Sequence, residues 1–207
     1  MPVDVSSLRI VHYPATVLRA KAKPIAPVHP PTDEVRAVAR RMLEIMREEQ
    51  GIGLAAPQVG LSWRLFIVDV PPPSPPSAKD KDPKDAKPPK DSKGPRTQDS
   101  GPPPLPIASD GPQYYINPTF SNPQGAPIPW EEGCLSLPDI RGDVLRPPVI
   151  TISAIDLHGN PFTQTAAGLL ARCWQHEMDH LDGVLIIDKM SQLSRIKNRA
   201  ALRDLEG

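Results

Sequence analysis

The chain has 207 residues, with 24 basic and 24 acidic side chains, so its formal net charge is zero. This balance gives no support for a nucleic-acid partner or an anionic-membrane partner, because both are normally bound through a basic surface. We find no apolar run long enough to span a bilayer and no signal-peptide pattern at the N-terminus. We therefore expect a cytoplasmic, monomeric protein with one domain over residues 1–207, in which the two cysteines are free thiols.

The first predicted element is a helix within residues 31–49. Its apolar residues recur at spacings of three and one, which gives a single apolar stripe on a helix, and Thr32 or Asp33 is a suitable N-cap. The stripe consists of Val35, Val38, Ala39, Met42, Leu43 and Met46. Residues 51–54 follow with two glycines and are predicted to form a loop.

Two strand-like runs, residues 64–70 and 114–118, flank a segment of unusual composition. Residues 71–112 contain about half of the chain's 29 prolines, many lysines and aspartates, and almost no large apolar residue before Leu105. Such a segment buries too little apolar surface to offset the entropy of ordering it. We interpret it as a disordered insertion in a surface connection, acting either as a solvated spacer or as an arm that docks a partner.

The C-terminal part of the chain contains a predicted strand, a turn and two predicted helices. Residues 149–156 are rich in β-branched side chains, which indicates a strand, and residues 157–161 form a turn. A helix is predicted to open near Thr165 and to end near Gly183. Residues 191–207 are predicted to form one short basic amphipathic helix.

Residues 175–180 read Gln-His-Glu-Met-Asp-His and fit the H-E-x-x-H pattern. On a helix, His176 and His180 lie one turn apart on the same face, so both imidazoles can bind one metal ion. Glu177 is then placed to contact a water on that ion. A catalytic site of this kind normally has three protein ligands and one open position, so a third ligand must come from elsewhere in the chain.

Cysteine and histidine are the candidates for this third ligand. The histidines outside the motif lie beside turn signals or among prolines and are expected to be solvated; they are His12, His29 and His158. Cys173 lies three residues before His176 on the same predicted helix, where a small buried thiol usually contributes to packing. Cys134 follows a glycine within residues 130–138, which are predicted to form a loop. It is the favoured ligand, with a buried thiol as the alternative.

Three segments together resemble the signatures of the peptide deformylase family, and they occur in the family's order. They are Gly-Ile-Gly-Leu-Ala-Ala-Pro-Gln-Val-Gly at residues 51–60, Glu-Gly-Cys-Leu-Ser at 132–136 and the H-E-x-x-H segment at 175–180. The similarity covers most of the chain outside the proline-rich insertion, which the ordinary bacterial pattern lacks. The resemblance implies an α+β fold in which antiparallel sheets pack around a central metal-binding helix.

The resemblance also implies an activity, the hydrolytic removal of the formyl group from the N-terminal formylmethionine of nascent polypeptides. It implies three ligands for one divalent metal ion, which are Cys134, His176 and His180. Fe(II) is implied as the native ion, with Zn(II), Ni(II) or Co(II) as possible occupants. Metal-bound hydroxide is implied as the nucleophile and Glu177 as the general base and acid. The Gln58 side chain and the Leu135 backbone N–H are implied as donors to the oxyanion.

The resemblance implies further residues that contact the substrate and a surface that contacts a partner. Those implied around the substrate are Ile52, Gly53, Trp130, Glu132, Leu169 and Cys173, with core packing as the alternative for each. Glu132 and Arg146 resemble the family's structural ion pair, and Arg172 also lies near the expected pocket. The C-terminal tail resembles a segment that contacts the ribosome near its exit tunnel, with a solvated terminal helix as the alternative.

Two other functions remain open on the sequence alone. An H-E-x-x-H endopeptidase usually takes a third histidine or a glutamate as ligand and needs a longer substrate cleft than a small domain provides. A binding protein that has kept the fold but lost activity is the other alternative. Every residue that the chemistry requires is present, which favours an active enzyme.

Overall fold

The computed structural model describes residues 2–26, 31–73 and 104–206. Within these residues the α-helices are α1 (Asp33–Glu48), α2 (Gly168–Leu181), α3 (Ile186–Lys189), α4 (Gln192–Lys197) and α5 (Arg199–Glu206). The strands are β1 (Gly53–Ala55), β2 (Leu65–Val68), β3 (Gln113–Gln124), β4 (Ile128–Cys134), β5 (Leu137–Arg146), β6 (Val149–Ile155) and β7 (Pro161–Ala167). Short 3-10 helices occupy Val5–Ser7, Thr16–Arg19 and Ala56–Val59. None of these helices combines the length and apolarity that crossing a bilayer requires.

Five strands form one antiparallel sheet in the order β1-β2-β3-β6-β7, and β4 and β5 form a separate hairpin. Helix α2 packs against β1, β2, β6 and β7 and therefore lies at the centre of the fold. The predicted α+β class, with antiparallel sheets around a central helix, is confirmed.

Strand β2 is buried on both faces, and its alternating side chains join two different cores. Leu65 and Ile67 pack in the cluster that contains the apolar stripe of α1. Phe66 and Val68 pack in the cluster that contains α2 residues such as Trp174. The five-stranded sheet is thus covered by α1 on one face and by α2 on the other. This rigid core fixes the position of α2.

The predicted first helix is confirmed, with Thr32 as its N-cap. The Thr32 hydroxyl accepts a hydrogen bond from the Val35 N–H at 3.2 Å, which satisfies one of the free donors of the first turn. Two residues differ from the predicted apolar stripe. Leu43, which was included in it, is only partly buried, and Ile45, which was not included, is 3% exposed.

Four boundaries differ from the sequence predictions. Gly53 and Leu54 belong to β1, because they pair with Val68 and Ile67 of β2 instead of forming a loop. The segment 130–138 is mostly the β4–β5 hairpin, and only its tip is irregular. Thr165 lies inside β7 and does not open a helix. The C-terminal segment forms two helices, α4 and α5, instead of one.

The insertion predicted over residues 71–112 falls largely on 74–103, which lie outside the described residues. Its two ends meet at the sheet. The Ser109 N–H donates to the Val70 carbonyl at 2.9 Å, and the Val70 N–H donates to the Ser109 hydroxyl at 2.8 Å. The two ends of the connection between β2 and β3 are therefore hydrogen-bonded to each other.

The C-terminal part of this connection, which the sequence placed within the insertion, also contacts the start of α2. The Ile107 carbonyl accepts the Leu170 N–H at 3.2 Å, and the Pro106 carbonyl accepts the Ala167 N–H at 2.9 Å. Helix α2 has no side-chain cap of its own, since Ala167 occupies the N-cap position. Backbone carbonyls from a distant segment therefore satisfy donors at this helix end.

Candidate metal centre

Helix α2 carries both motif histidines and Glu177 into the interior of the protein. His176 and His180 lie on one face of the helix, with their ring centroids 5.0 Å apart. His180 is 1% exposed, and burial lowers its pKa well below the ordinary value, so its ring is neutral and able to ligate. The i, i+4 spacing thus brings two imidazoles together, as the sequence predicts.

Cys134 reaches this pair from the end of β4. Its Sγ lies 3.3 Å from His180 Nε2, and one donor atom from each of Cys134, His176 and His180 lies within 4.8 Å of the other two. Ordinary metal–sulfur and metal–nitrogen bonds of about 2.3 and 2.0–2.1 Å, at tetrahedral angles, separate the two ligand atoms by roughly 3.6 Å. A thiolate and two imidazoles at this spacing therefore fit a single tetrahedral transition-metal ion.

The other candidates for a third ligand lie elsewhere. The Cys173 thiol is within 3.5 Å of the Ile52 carbonyl, and burial raises its pKa well above the ordinary value, so it stays protonated. His12 and His158 are exposed, and His29 lies outside the described residues. Among the residues the structure describes, only the cluster with Cys134 has the spacing of a metal site.

Glu132 connects the hairpin to His176 through a buried ion pair with Arg146. The Arg146 Nε and Nη2 groups donate to the two Glu132 oxygens at 2.6 and 2.8 Å. His176 Nδ1 lies 3.0 Å from Glu132 Oε2, so the ring presents its other nitrogen to Cys134. Burial alone raises the pKa of Glu132, but the hydrogen bonds from Arg146 and His176 hold it far below its usual range.

Arg172, which the sequence analysis placed near the pocket, is also a member of this network, and its contact with Glu132 was not predicted. Its Nη1 donates to Glu132 Oε1 at 2.7 Å and to the Val144 carbonyl at 3.0 Å. Its guanidinium also lies 5.6 Å from the centroid of the Trp130 ring, a cation–π distance. The available signal was the charge itself, because an arginine on a helix that is expected to be buried requires a buried partner.

Glu177 is 3% exposed, and burial raises its pKa to about 7. Its Oε2 has no hydrogen-bond partner among the described residues. Gly53 passes directly over it, since a Cβ at this position meets the Glu177 carboxylate and lies only 2.7 Å from the Cys173 sulfur. Glycine is therefore required here by the close approach of β1 to α2.

The Gln58 side chain reaches the cluster from the 3-10 helix Ala56–Val59. Its Oε1 accepts the Ala55 N–H at 2.9 Å. Its Nε2 lies 3.5 Å from Cys134 Sγ and 3.3 Å from the Ser136 hydroxyl. Gln58 is 2% exposed, and its amide N–H groups face Cys134 and Ser136. Leu135, the other implied donor, directly follows Cys134 at the hairpin tip.

A cleft of about 840 Å³ opens onto these residues. All six residues implied around the substrate line it, together with Gln58, Leu135 and Glu177; the six are Ile52, Gly53, Trp130, Glu132, Leu169 and Cys173. Trp130 is 47% exposed at the rim, whereas Cys173 is buried. The cleft thus joins an apolar wall to a set of polar groups that converge on one point, as in typical ligand sites.

Comparison with known proteins agrees with this geometry. A family model described as polypeptide deformylase matches residues 7–196 of the chain. Peptide deformylases from Picosynechococcus sp. and Opitutus terrae are 38% and 41% identical over 199 and 197 residues, respectively. These alignments cover 96% and 95% of this chain and 84% and 89% of the two relatives.

Solved structures show the same relationship. The peptide deformylase from Ehrlichia chaffeensis has a TM-score of 0.75 and 28% identity, over 96% of this chain and 94% of that one. The peptide deformylase from Synechococcus elongatus in complex with actinonin has a TM-score of 0.70 and 34% identity, over 95% and 86%. The chain therefore belongs to the peptide deformylase family of metal-dependent hydrolases.

Proposed function

We propose that this enzyme hydrolyses the N-formyl group from formylmethionine at the start of nascent polypeptides and releases formate. The observation that carries the proposal is the Cys134, His176 and His180 cluster beside the buried Glu177 at the floor of an 840 Å³ cleft. Membership of the family supports the same reaction. A formylated peptide end is small enough to bring its amide to the floor of such a cleft.

Cys134, His176 and His180 are proposed to hold one divalent ion, with Fe(II) as the native metal and Zn(II), Ni(II) or Co(II) as substitutes. Such an ion, when bound, acts as a Lewis acid on the formyl group and on a water molecule. The arrangement of the three residues supports this role because their donor atoms already lie within 4.8 Å of one another. Elemental analysis after anaerobic purification, with formate release followed on the same sample, tests which metal is native.

Glu177 is proposed to take the proton from the attacking water and to deliver it to the departing amine. Burial raises the pKa of its carboxyl to about 7, which suits a group that must gain and lose a proton near neutral pH. Its Oε2 has no competing hydrogen-bond donor among the described residues.

Gln58 and the Leu135 backbone N–H are proposed to donate hydrogen bonds to the oxyanion that forms at the formyl carbon. The buried Gln58 amide supports this role because its Nε2 lies 3.5 Å from Cys134 Sγ, on the side of the cleft where the charge would develop. Removal of one such donor costs about 3 kcal/mol of barrier in comparable sites. The methionine side chain is proposed to contact Ile52, Trp130 and Leu169.

Formate release from formyl-Met-Ala-Ser, compared with acetate release from acetyl-Met-Ala-Ser and with cleavage of an internal peptide bond, tests the proposal. We expect the formyl substrate to be hydrolysed far faster than either alternative. The matched control is Glu177→Gln, which keeps the side-chain volume and the metal ligands. Equal rates on the three substrates would contradict deformylation and favour the endopeptidase alternative, and no turnover on any of them would favour an inactive binding protein.

The enzyme is further proposed to act as a cytoplasmic monomer and to meet its substrate at the ribosome. Helices α4 and α5 carry basic residues, and Leu193 and Ile196 are more than 60% exposed beside them. An amphipathic basic surface of this kind suits a ribosomal surface near the exit tunnel. Co-sedimentation with ribosomes, compared between the full chain and Ile196→Glu, tests the contact.

A further inference from the structure

The orientation of the Gln58 carboxamide is determined by its contacts. The Ala55 backbone N–H can only donate, so the Gln58 atom 2.9 Å from it must be the oxygen. The amide nitrogen then points in the opposite direction with two N–H groups. The carboxamide therefore cannot flip without leaving both the Ala55 N–H and its own N–H groups without partners.

One of those two N–H groups is matched by a buried hydroxyl. The Ser136 Oγ lies 3.3 Å from Gln58 Nε2, and Ser136 is fully buried. The Ser136 backbone is itself held, because its carbonyl accepts the Tyr13 N–H at 2.9 Å. With one N–H directed to this hydroxyl, the second N–H is directed toward Cys134 Sγ, 3.5 Å away on the cleft side.

We propose that Ser136 is a positioning residue that holds the Gln58 carboxamide so that its second N–H faces the reacting carbonyl oxygen. The inference deepens the proposed function and rests on the oxyanion role given there to Gln58. Ser136 itself is not among the residues that line the cleft or form the Cys134, His176 and His180 cluster. Its hydroxyl acts by restricting rotation of the carboxamide about the last side-chain torsion, which is broad in a free glutamine.

Ser136→Ala removes this one hydroxyl without adding volume, so the change is small and buried. The lost hydrogen bond should lower kcat about fivefold, which is the effect of a typical intramolecular hydrogen bond. KM should change less than about twofold, because the oxyanion donor acts in the transition state and not on the bound ground state. A residue that only filled space would alter stability without this division between kcat and KM.

A double-mutant cycle separates positioning from packing. Ser136→Ala, Gln58→Ala and the double variant are compared in kcat for formyl-Met-Ala-Ser hydrolysis, all as Zn(II)-loaded full chains. We expect the fivefold effect of Ser136→Ala to disappear in the Gln58→Ala background. Ser194→Ala is the matched control, since Ser194 is a buried serine on α4 whose hydroxyl accepts the Asp143 N–H at 3.1 Å, and it should leave kcat unchanged.

A measurement on the unsubstituted Zn(II) protein tests the contact independently of activity. A nuclear Overhauser effect should connect the Gln58 side-chain amide hydrogens with the Ser136 β-hydrogens, and those amide resonances should shift in Ser136→Ala but not in Ser194→Ala. Absence of this effect, or an equal loss of kcat from Ser136→Ala with and without Gln58, overturns the inference. If Gln58→Ala alone leaves kcat unchanged, the oxyanion role in the proposed function fails instead, and the positioning role falls with it.

Discussion

Replacing Glu177 by glutamine should abolish most turnover and, at the same time, stabilise the metal-free protein at alkaline pH. The folded protein raises the pKa of this carboxyl from 4.5 to about 7 because the side chain is buried. The unfolded chain ionises it at the ordinary value. Above that value the unfolded state gains free energy from ionisation that the folded state does not, so Glu177 destabilises the fold as pH rises from about 4.5 to about 7.

The magnitude follows from the two pKa values. The penalty amounts to about 3 kcal/mol at pH 8 and to less than about 1 kcal/mol at pH 5. Glutamine has the same volume and no charge, so Glu177→Gln removes the penalty. The free energy of unfolding of the metal-free variant should therefore exceed that of the parent by about 3 kcal/mol at pH 8 and by much less at pH 5.

Urea unfolding of both metal-free proteins, followed by tryptophan fluorescence at pH 5 and pH 8, measures this difference. Formate release by the metal-loaded variant should fall at least ~10²-fold, since general acid–base catalysis contributes this much, while its metal content is unchanged. A bound cation favours the ionised carboxylate, so the stability gap at pH 8 should narrow when Zn(II) is added. Equal stability of the two metal-free proteins at pH 8 would refute the burial argument, and full activity of the variant would remove Glu177 from the mechanism.

Three further predictions concern the ligand set, the strand above Glu177 and the insertion. Cys134→Ser should lose the metal on dialysis against a weak chelator, as elemental analysis would reveal, because a hydroxyl does not replace a thiolate as ligand; retention of the metal would contradict its role. Gly53→Ala should lower both the urea midpoint and kcat/KM, because the new methyl group overlaps the Glu177 carboxylate. An unchanged midpoint would mean that β1 can shift without a loss of stability. Replacing residues 74–103 by a short Gly-Ser linker should preserve turnover and melting temperature. Deleting 71–112 should lower both, because it removes the Ile107 carbonyl that accepts a hydrogen bond from the first turn of α2. Equal turnover and melting temperature of the two deletion variants would exclude a role for Ile107 in capping α2.

The parts of the site that depend on local spacing could be predicted from the sequence. His176 and His180 converge because a helix repeats every 3.6 residues, which holds wherever the helix lies in the fold. The apolar stripe of α1 was readable for the same reason. Both patterns need no information about the rest of the molecule.

The parts that depend on distant contacts could not be predicted in this way. Helix α2 begins at Gly168, which has a φ of +57°, and donors at its start are satisfied by the Pro106 and Ile107 carbonyls, which lie about 60 residues earlier in the chain, near the end of the predicted insertion. No N-cap residue in the sequence near Thr165 marks the start of this helix at Gly168. In the same way, Gly53 appeared to mark a loop, although it is a glycine because Glu177 lies beneath it.

The β4–β5 hairpin explains why one short segment contributes so much to the site. Glu132 and Cys134 are two residues apart on β4, and both side chains meet α2, although the pairing with β5 shifts between Gly133 and Cys134. Cys134 supplies the sulfur, while Glu132 fixes the ring of His176 so that its free nitrogen points at the same place. Gly133 between them faces Arg141 on the neighbouring strand. A shift of β4 by a single residue would turn both side chains away from α2, so the register of this hairpin controls the positions of the proposed ligand Cys134 and of Glu132 together.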